Sequence, residues 1–174
     1  KTLNIVYTSL HGTGITLIPE ALKRWGFDNI IYEKDQCIPD GHFPTVHSPN
    51  PEEKAALKLG IDLLKKSNAD LLIANDPDAD RVGVVVNHHG DMVILNGNQI
   101  ACICLEHICE ALTAQNRMPE KAAFIKTIVT TELFQAIADS FKKPCFSVLT
   151  GFKYIAQKIQ EWELDPKNGL QYIF

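Results

Sequence analysis

The sequence lacks the features that would indicate a membrane protein or a nucleic-acid-binding protein. No apolar run approaches the roughly 20 residues that a membrane-spanning helix needs. The formal net charge of -4 over 174 residues gives no reason to expect a nucleic acid or an anionic membrane as a partner. Hydrophobic residues make up 45% and charged residues 22%, which is typical of a globular protein with enough apolar surface for a core.

The sequence also lacks a paired cysteine framework, because its cysteines number five. Cys102 and Cys109 would share one face of a helix, and Cys104 would lie elsewhere around the same helix. A zinc site would need tighter pairs, so we interpret these three, together with Cys37 and Cys145, as small thiols that are mostly buried. Unpaired thiols indicate a reducing, cytoplasmic location.

The most informative feature that is present is Asp-Pro-Asp-Ala-Asp-Arg, between two strongly apolar runs. In an extended backbone alternate side chains point to the same side, so Asp76, Asp78 and Asp80 can converge on one point. Carboxylates that close repel one another, and a divalent cation removes the conflict. A set of oxygen ligands without Cys or His nearby favours Mg2+ over zinc and leaves positions open for a phosphate and water. We therefore predict that this loop binds Mg2+.

Other interpretations of the loop are weaker. A calcium loop of the helix–loop–helix kind needs Gly at its sixth position and Glu at its twelfth, where this chain has Arg81 and Asn87. A solvated turn rich in Asp does not require strict alternation of the acids, nor an Arg directly after them. Arg81 could pair with Asp76 or Asp80, or its forked guanidinium could hold a phosphate or a carboxylate of a ligand.

Short apolar runs alternate with segments of helical periodicity along the rest of the chain. This alternation predicts an α/β fold with mixed, mostly parallel sheets flanked by helices. The pattern starts again after Gly97, so we predict two tandem domains of similar design at residues 1–96 and 97–174, the second truncated at its C-terminus. A helix is predicted over about residues 50–66, because the segment opens with a capping Asn, then Pro, then two acids. The chain begins at Lys1 rather than Met, so we expect an excised piece of a longer polypeptide. No signal-peptide pattern occurs in the sequence given, but targeting information could have been lost with the missing part.

Several short motifs occur along the chain in one order. They are His11 to Gly14, Ser48 to Glu53, Asp76 to Arg81, Gly97 to Gln99, Lys126 to Thr131 and Thr150 to Lys153. This order resembles the α-D-phosphohexomutases, the phosphoglucomutase/phosphomannomutase family, and within it the bacterial phosphoglucomutases. The resemblance covers essentially the whole chain and is most specific in the metal loop.

The resemblance implies that residues 1–96 are the second and residues 97–174 most of the third of four domains around one cleft. Domains I and IV of the same polypeptide would then be its partners. The family's phosphorylated serine motif has no match here; Ser48 lies near an Asn-Pro pair, but we interpret it as structural. The chain also stops before the sugar-selecting loop of the family. The isolated fragment is therefore expected to be inactive.

The family reaction interconverts hexose 1-phosphate and hexose 6-phosphate through a bisphosphorylated sugar. The resemblance implies that Mg2+ on the three aspartates neutralises the phosphate and that Arg81 bridges the loop and the transferring group. It also implies Lys153 as the general acid/base, although Lys153 could instead cap a helix or contact phosphate. Four further residues are predicted to bind the phosphorylated hexose, namely Lys126, His11, Thr150 and Gly151. For His11, a structural hydrogen bond from the ring is the alternative.

Other activities stay open at this point. The resemblance does not separate glucose phosphate from mannose or pentose phosphate, so a phosphopentomutase of the same family is an alternative. A phosphatase with Asp76 or Asp78 as nucleophile would want Thr or Val in place of Asp80. A non-catalytic module that only binds a divalent ion is the third interpretation.

Overall fold

The computed structural model describes residues 2–165, 167 and 169–174. It confirms the predicted α/β fold: two compact units, Lys1–Asn96 and Gly97–Phe174, each contain a sheet flanked by helices. Within the described part of the chain, no helix combines the length and the apolarity needed to cross a membrane.

The first unit is built on a five-stranded mixed sheet with strand order β2-β1-β3-β4-β5. The strands are β1 (Ile5–Thr8), β2 (Ile30–Tyr32), β3 (Leu71–Asn75), β4 (Val82–His88) and β5 (Asp91–Leu95). Strands β1, β2 and β3 run parallel, whereas β4 is antiparallel to both β3 and β5. The metal loop is therefore the connection between two adjacent antiparallel strands, and their pairing fixes where it begins and ends.

Two α-helices accompany this sheet, α1 (Ile18–Arg24), which follows a 3-10 turn at Thr13–Thr16, and α2 (Lys58–Ser67). Apolar side chains of α2 pack on alternate residues of the sheet strands, and most of this core is fully buried. Burial of each large aliphatic side chain contributes about 1.5–3 kcal/mol. The core members are Val6, Leu57, Ile61, Leu64, Ala69, Leu72, Ala74 and Val85.

The helix predicted over residues 50–66 was wrong in its first half. Residues 51–57 form turns, and α2 begins only at Lys58. The Asn50 side chain does accept a hydrogen bond from the Glu52 backbone N–H at 3.0 Å, but it caps a turn. The Pro51 carbonyl lies against β4, so close to Gly83 that a Cβ there would be 2.3 Å from the oxygen. This long-range contact holds the segment out of the helix.

The second unit contains a three-stranded parallel sheet with order β7-β6-β8, covered by α3 (Gly97–Ala114), α4 (Glu132–Ser140) and α5 (Phe152–Leu164). Its strands are β6 (Ala122–Thr127), β7 (Cys145–Val148) and β8 (Gln171–Tyr172). Successive residues of β6 pack into two different apolar cores, one on each face of the sheet. Phe124 packs with Cys102 and Cys109 of α3, whereas Ile125 packs with Trp162 of α5. The sheet therefore buries both of its faces, as a parallel sheet requires.

Candidate metal and phosphate site

The three aspartates of the predicted metal loop converge. One carboxylate oxygen of each of Asp76, Asp78 and Asp80 lies within 4.8 Å of the other two. Asp76 directly follows β3 and is 1% exposed, whereas Asp78 and Asp80 face solvent. A cation bound here would thus have one fixed, buried ligand and two ligands that are open on the solvent side.

Arg81 holds the buried carboxylate with both its backbone and its side chain. Its backbone N–H donates to Asp76 Oδ1 at 2.9 Å, and its Nε donates to Asp76 Oδ2 at 2.8 Å. The Asp80 carboxylate is farther away, at 3.8 Å from the same Nε. Because the close contact uses Nε, it does not require the two terminal amino groups of the guanidinium, which half-exposed Arg81 can present to a phosphate.

The pKa values in the loop move in opposite directions. Burial raises the pKa of Asp76, but the backbone N–H and guanidinium of Arg81 outweigh it and hold that pKa below its usual value. The negative charge of Asp78 raises the pKa of Asp80. Asp76 is therefore held ionised, while Asp78 and Asp80 repel each other. A cation relieves such repulsion, so the electrostatics of the loop fit a metal ion with oxygen ligands.

The loop after β1 contacts the metal loop directly. The backbone N–H of Thr13 donates to the Pro77 carbonyl at 2.8 Å, and a Cβ at Gly12 would be 2.2 Å from the Pro77 Cα. Only a glycine permits this approach. Ala79 has a left-handed backbone with φ 62°, and its N–H donates to the Asp76 carbonyl at 3.0 Å. These contacts hold the backbone of the metal loop in a compact turn in which the three carboxylates lie close together.

His11 is occupied by structural hydrogen bonds. Its ring is 4% exposed; Nδ1 lies 3.0 Å from the Ile38 carbonyl oxygen and Nε2 lies 2.8 Å from the Thr45 hydroxyl. A carbonyl oxygen only accepts, so Nδ1 donates to it, and Nε2 shares a hydrogen bond with the hydroxyl. With both ring nitrogens engaged, the structure favours the structural alternative over substrate binding. The ring joins the end of β1 to residues 36–45.

Lys126 lies near the end of β6. Its side chain is only 3% exposed, and Nζ donates to Glu132 Oε1 at 2.7 Å and to the Thr130 carbonyl at 3.3 Å. It also lines a cavity of about 190 Å³ with Thr127 and Tyr172 among the other lining residues. The ammonium group is thus held beside a small, mostly apolar space at the carboxyl edge of the sheet.

The last motif follows the neighbouring strand. Thr150 and Gly151 connect β7 to α5, and Gly151 has φ 129° at the start of that helix. Lys153 lies exposed in the first turn of α5, with Nζ 4.8 Å from the centre of the Tyr154 ring. Because β6 and β7 are parallel neighbours, this motif and Lys126 both lie at the carboxyl edge of one sheet. Ligands of open α/β sheets bind at that edge.

Ser48 has a structural role, and two further residues near the candidate sites were missed by the sequence analysis. The Ser48 hydroxyl donates to Glu53 at 3.0 Å within the turn before α2, as expected for a structural residue. The sequence analysis missed Glu132 as the partner of Lys126. It also missed Asn75, whose side chain bonds across the metal loop to Arg81. A polar residue that ends a buried strand directly before the first Asp was the available signal for Asn75.

Comparison with known proteins agrees with this geometry. The phosphoglucomutase/phosphomannomutase alpha/beta/alpha domain II matches residues 1–90, and domain III of the same family matches residues 96–165. The chain belongs to the phosphoglucomutase/phosphomannomutase family. The resemblance inferred from the sequence motifs is confirmed.

Proteins with a similar sequence include phosphoglucomutases of Staphylococcus aureus. Those of strains MRSA252 and N315 are each 40% identical over 173 residues, which is 99% of this chain and 30% of their own length. The chain therefore spans less than a third of these curated relatives.

Solved structures share the fold. A phosphoglucomutase/phosphomannomutase family protein from Burkholderia thailandensis has a TM-score of 0.73 at 23% identity, over 91% of this chain and 32% of that one. An Aspergillus fumigatus N-acetylphosphoglucosamine mutase, solved with GlcNAc-6P and magnesium, has a TM-score of 0.63 at 16% identity, over 92% of this chain and 33% of that one. At these identities the likeness shows the fold alone.

Proposed function

We propose that this chain is the metal-binding part of a phosphohexomutase, a cytoplasmic enzyme that interconverts hexose 1-phosphate and hexose 6-phosphate. The observation that carries the proposal is the convergence of Asp76, Asp78 and Asp80 around a point that Arg81 braces. The carboxylates would hold Mg2+, whose charge would neutralise a phosphoryl group in transfer. Three carboxylates offset that charge enough to let the phosphate leave.

The remaining residues each have a proposed task in phosphoryl transfer. Arg81 keeps Asp76 ionised and turns its terminal amino groups toward the phosphate, which suits their forked geometry. Lys153 takes the proton of the attacking sugar hydroxyl on Nζ and returns it to the leaving oxygen. Lys126, with Thr150 and Gly151, binds the phosphorylated hexose at the carboxyl edge of the second sheet.

The nucleophile and part of the sugar site lie on other segments of the parent polypeptide in this proposal. A phosphoserine there donates the phosphoryl group and a bisphosphorylated sugar is the intermediate, so the isolated chain has no turnover. The names of the S. aureus relatives support glucose phosphate as the substrate. The Aspergillus enzyme with bound GlcNAc-6P and magnesium supports a phosphorylated hexose and Mg2+ more generally. The unpaired cysteines fit a reducing compartment.

The test is turnover of glucose 1-phosphate by the parent polypeptide, with Asp78→Asn compared with Asp91→Asn. Asp91 is an exposed acid at the opposite end of β4 from the metal loop, where it pairs with His88. We expect Asp78→Asn, or removal of Mg2+ by a chelator, to lower kcat/KM at least roughly 100-fold, because a metal supplies several kcal/mol of charge stabilisation. Asp91→Asn should be neutral. Undiminished turnover after both treatments would refute the proposal, and phosphate trapped on Asp76 or Asp78 would indicate a phosphatase instead.

A further inference from the structure

Asn75 is the last residue of β3 and directly precedes the first metal-loop aspartate. It is 5% exposed, and its Nδ2 donates to the backbone carbonyl oxygen of Arg81 at 2.9 Å. This single hydrogen bond spans the entire loop, from the residue before the first Asp to the Arg after the last one. Asn75 also pairs in register with Val82 on β4, so the bond lies where the two strands diverge.

The bond fixes the peptide groups of Arg81 from two sides. The N–H of Arg81 donates to Asp76 Oδ1, and its carbonyl accepts from Asn75. A change in the orientation of Arg81 would therefore move the N–H away from the one buried carboxylate of the site. Asp76 would lose a hydrogen-bond partner, and its distance from Asp78 and Asp80 would no longer be set.

The amide oxygen of Asn75, Oδ1, indicates that the side chain does more than fill space. Among the described residues, Asn75 Oδ1 and Tyr7 Oη are buried side-chain oxygens without a hydrogen-bond partner. Both side chains lie beside Gly14, where a Cβ would be 2.6 Å from Tyr7 Oη and 3.4 Å from the Asn75 Cβ. A buried oxygen without a partner costs free energy, so an apolar residue would serve the strand end better unless Nδ2 is needed.

We propose that Asn75 is a positioning residue of the metal site, one that touches no metal but sets the geometry of Asp76 and Arg81. This inference rests on the proposed function, because it presupposes that the loop binds a divalent cation. Residues that orient metal ligands without binding the metal change metal affinity roughly 10- to 100-fold when they are replaced.

The chain offers a matched control in Asn87 on β4. Its Nδ2 donates to the Ala69 carbonyl at 2.9 Å, the same kind of bond at the other end of the same pair of strands. We would compare Asn75→Leu with Asn87→Leu in the 174-residue chain. Mn2+ binding would be titrated by electron paramagnetic resonance, and thermal unfolding would be measured without metal.

We expect both leucine variants to lower the unfolding midpoint and only Asn75→Leu to raise the Kd for Mn2+, by about tenfold or more. Unchanged Mn2+ affinity in Asn75→Leu, or an equal loss in both variants, would overturn the positioning role. If Asn75→Leu does not fold, Asn75→Ala and Asn87→Ala give the same comparison. A wild-type chain that binds no Mn2+, or binds it equally well with Asp78→Asn, would instead refute the metal site itself and this inference with it.

Discussion

The metal loop of the first unit and the first turn of α5 in the second unit present their candidate residues in different ways. In the first unit, the metal loop is fixed by contacts to Gly12 and Thr13 and by the bonds between Asp76 and Arg81. In the second unit, Lys153 lies exposed on the first turn of α5. The first site is thus set before any ligand binds, whereas an exposed lysine keeps its side-chain freedom.

This difference has a physical origin in the charges involved. Three carboxylates within 4.8 Å repel each other, so the chain must hold them by many backbone contacts. A single exposed ammonium group has no such conflict and needs no scaffold beyond its helix. Substitutions in the contacts that hold the metal loop should therefore affect folding and metal affinity together, and those at Lys153 should affect turnover alone.

The largest effect is expected from Lys153→Ala in the parent polypeptide. Loss of a general acid/base should lower kcat roughly 10²- to 10⁴-fold. Because the side chain is exposed, the free energy of unfolding should change by less than about 0.5 kcal/mol. Lys158→Ala, on the same helix and paired with Glu161, is the control and should retain turnover. Equal activity of the two variants in a glucose 1-phosphate assay would remove Lys153 from the proposed chemistry.

The next effect should come from Gly12→Ala in the first unit. A Cβ would be 2.2 Å from the Pro77 Cα, and backbone atoms cannot give way as a flexible side chain does. We expect a loss of about 2–3 kcal/mol in the free energy of unfolding from overpacking, together with weaker Mn2+ binding. Gly41→Ala is the control, because a Cβ there meets nothing within 4 Å. Urea unfolding and Mn2+ titration measure both outcomes; a Gly12→Ala chain that behaves like Gly41→Ala would show that the loops are not in contact.

The metal loop could be predicted from the sequence because its chemistry is local. The three acids and the Arg are neighbours in the chain, so a short loop suffices to bring the carboxylates together. The extended backbone that we predicted for this loop was wrong, because the loop is a turn in which Ala79 has a left-handed backbone with φ 62°. The strands and helices could likewise be predicted, since their apolar periodicity is a property of short segments. The family motifs added the order of the domains.

What could not be predicted depends on contacts between distant residues. The capping pattern at Asn50 is the same for a turn as for a helix, and the contact of Pro51 with Gly83 decides between them. The ring of His11 is engaged by Ile38 and Thr45 from a loop without regular structure. Partners in irregular segments, distant in the sequence, cannot be predicted from the periodicity of apolar residues.

A smaller effect on turnover should come from Lys126→Met in the second unit. This variant tests a buried lysine for comparison with the exposed Lys153. Methionine fills a similar volume, and the side chain of Glu132 is 84% exposed, so the substitution leaves no buried charge without a partner and should change stability little. The lost charge–phosphate bond should lower kcat/KM roughly 10- to 100-fold. Lys66→Met, an exposed position at the end of α2, should be neutral in both measurements. If Lys126→Met unfolds the protein but leaves the turnover of the folded fraction intact, its pair with Glu132 is purely structural.

The smallest effect concerns pH and a thiol of the second unit. Burial raises the pKa of Cys145 from 9.0 to about 11, so the folded chain favours the neutral thiol. The unfolded thiol ionises first as the pH rises, so this contribution to stability is complete below pH 9 and is lost as the pH approaches 11. The unfolding midpoint should therefore fall less steeply over this range in Cys145→Ala than in the wild type. Because other groups titrate in both proteins alike, the difference between the two curves isolates the thiol, and parallel curves would mean that the partial burial of Cys145 does not raise the pKa of its thiol.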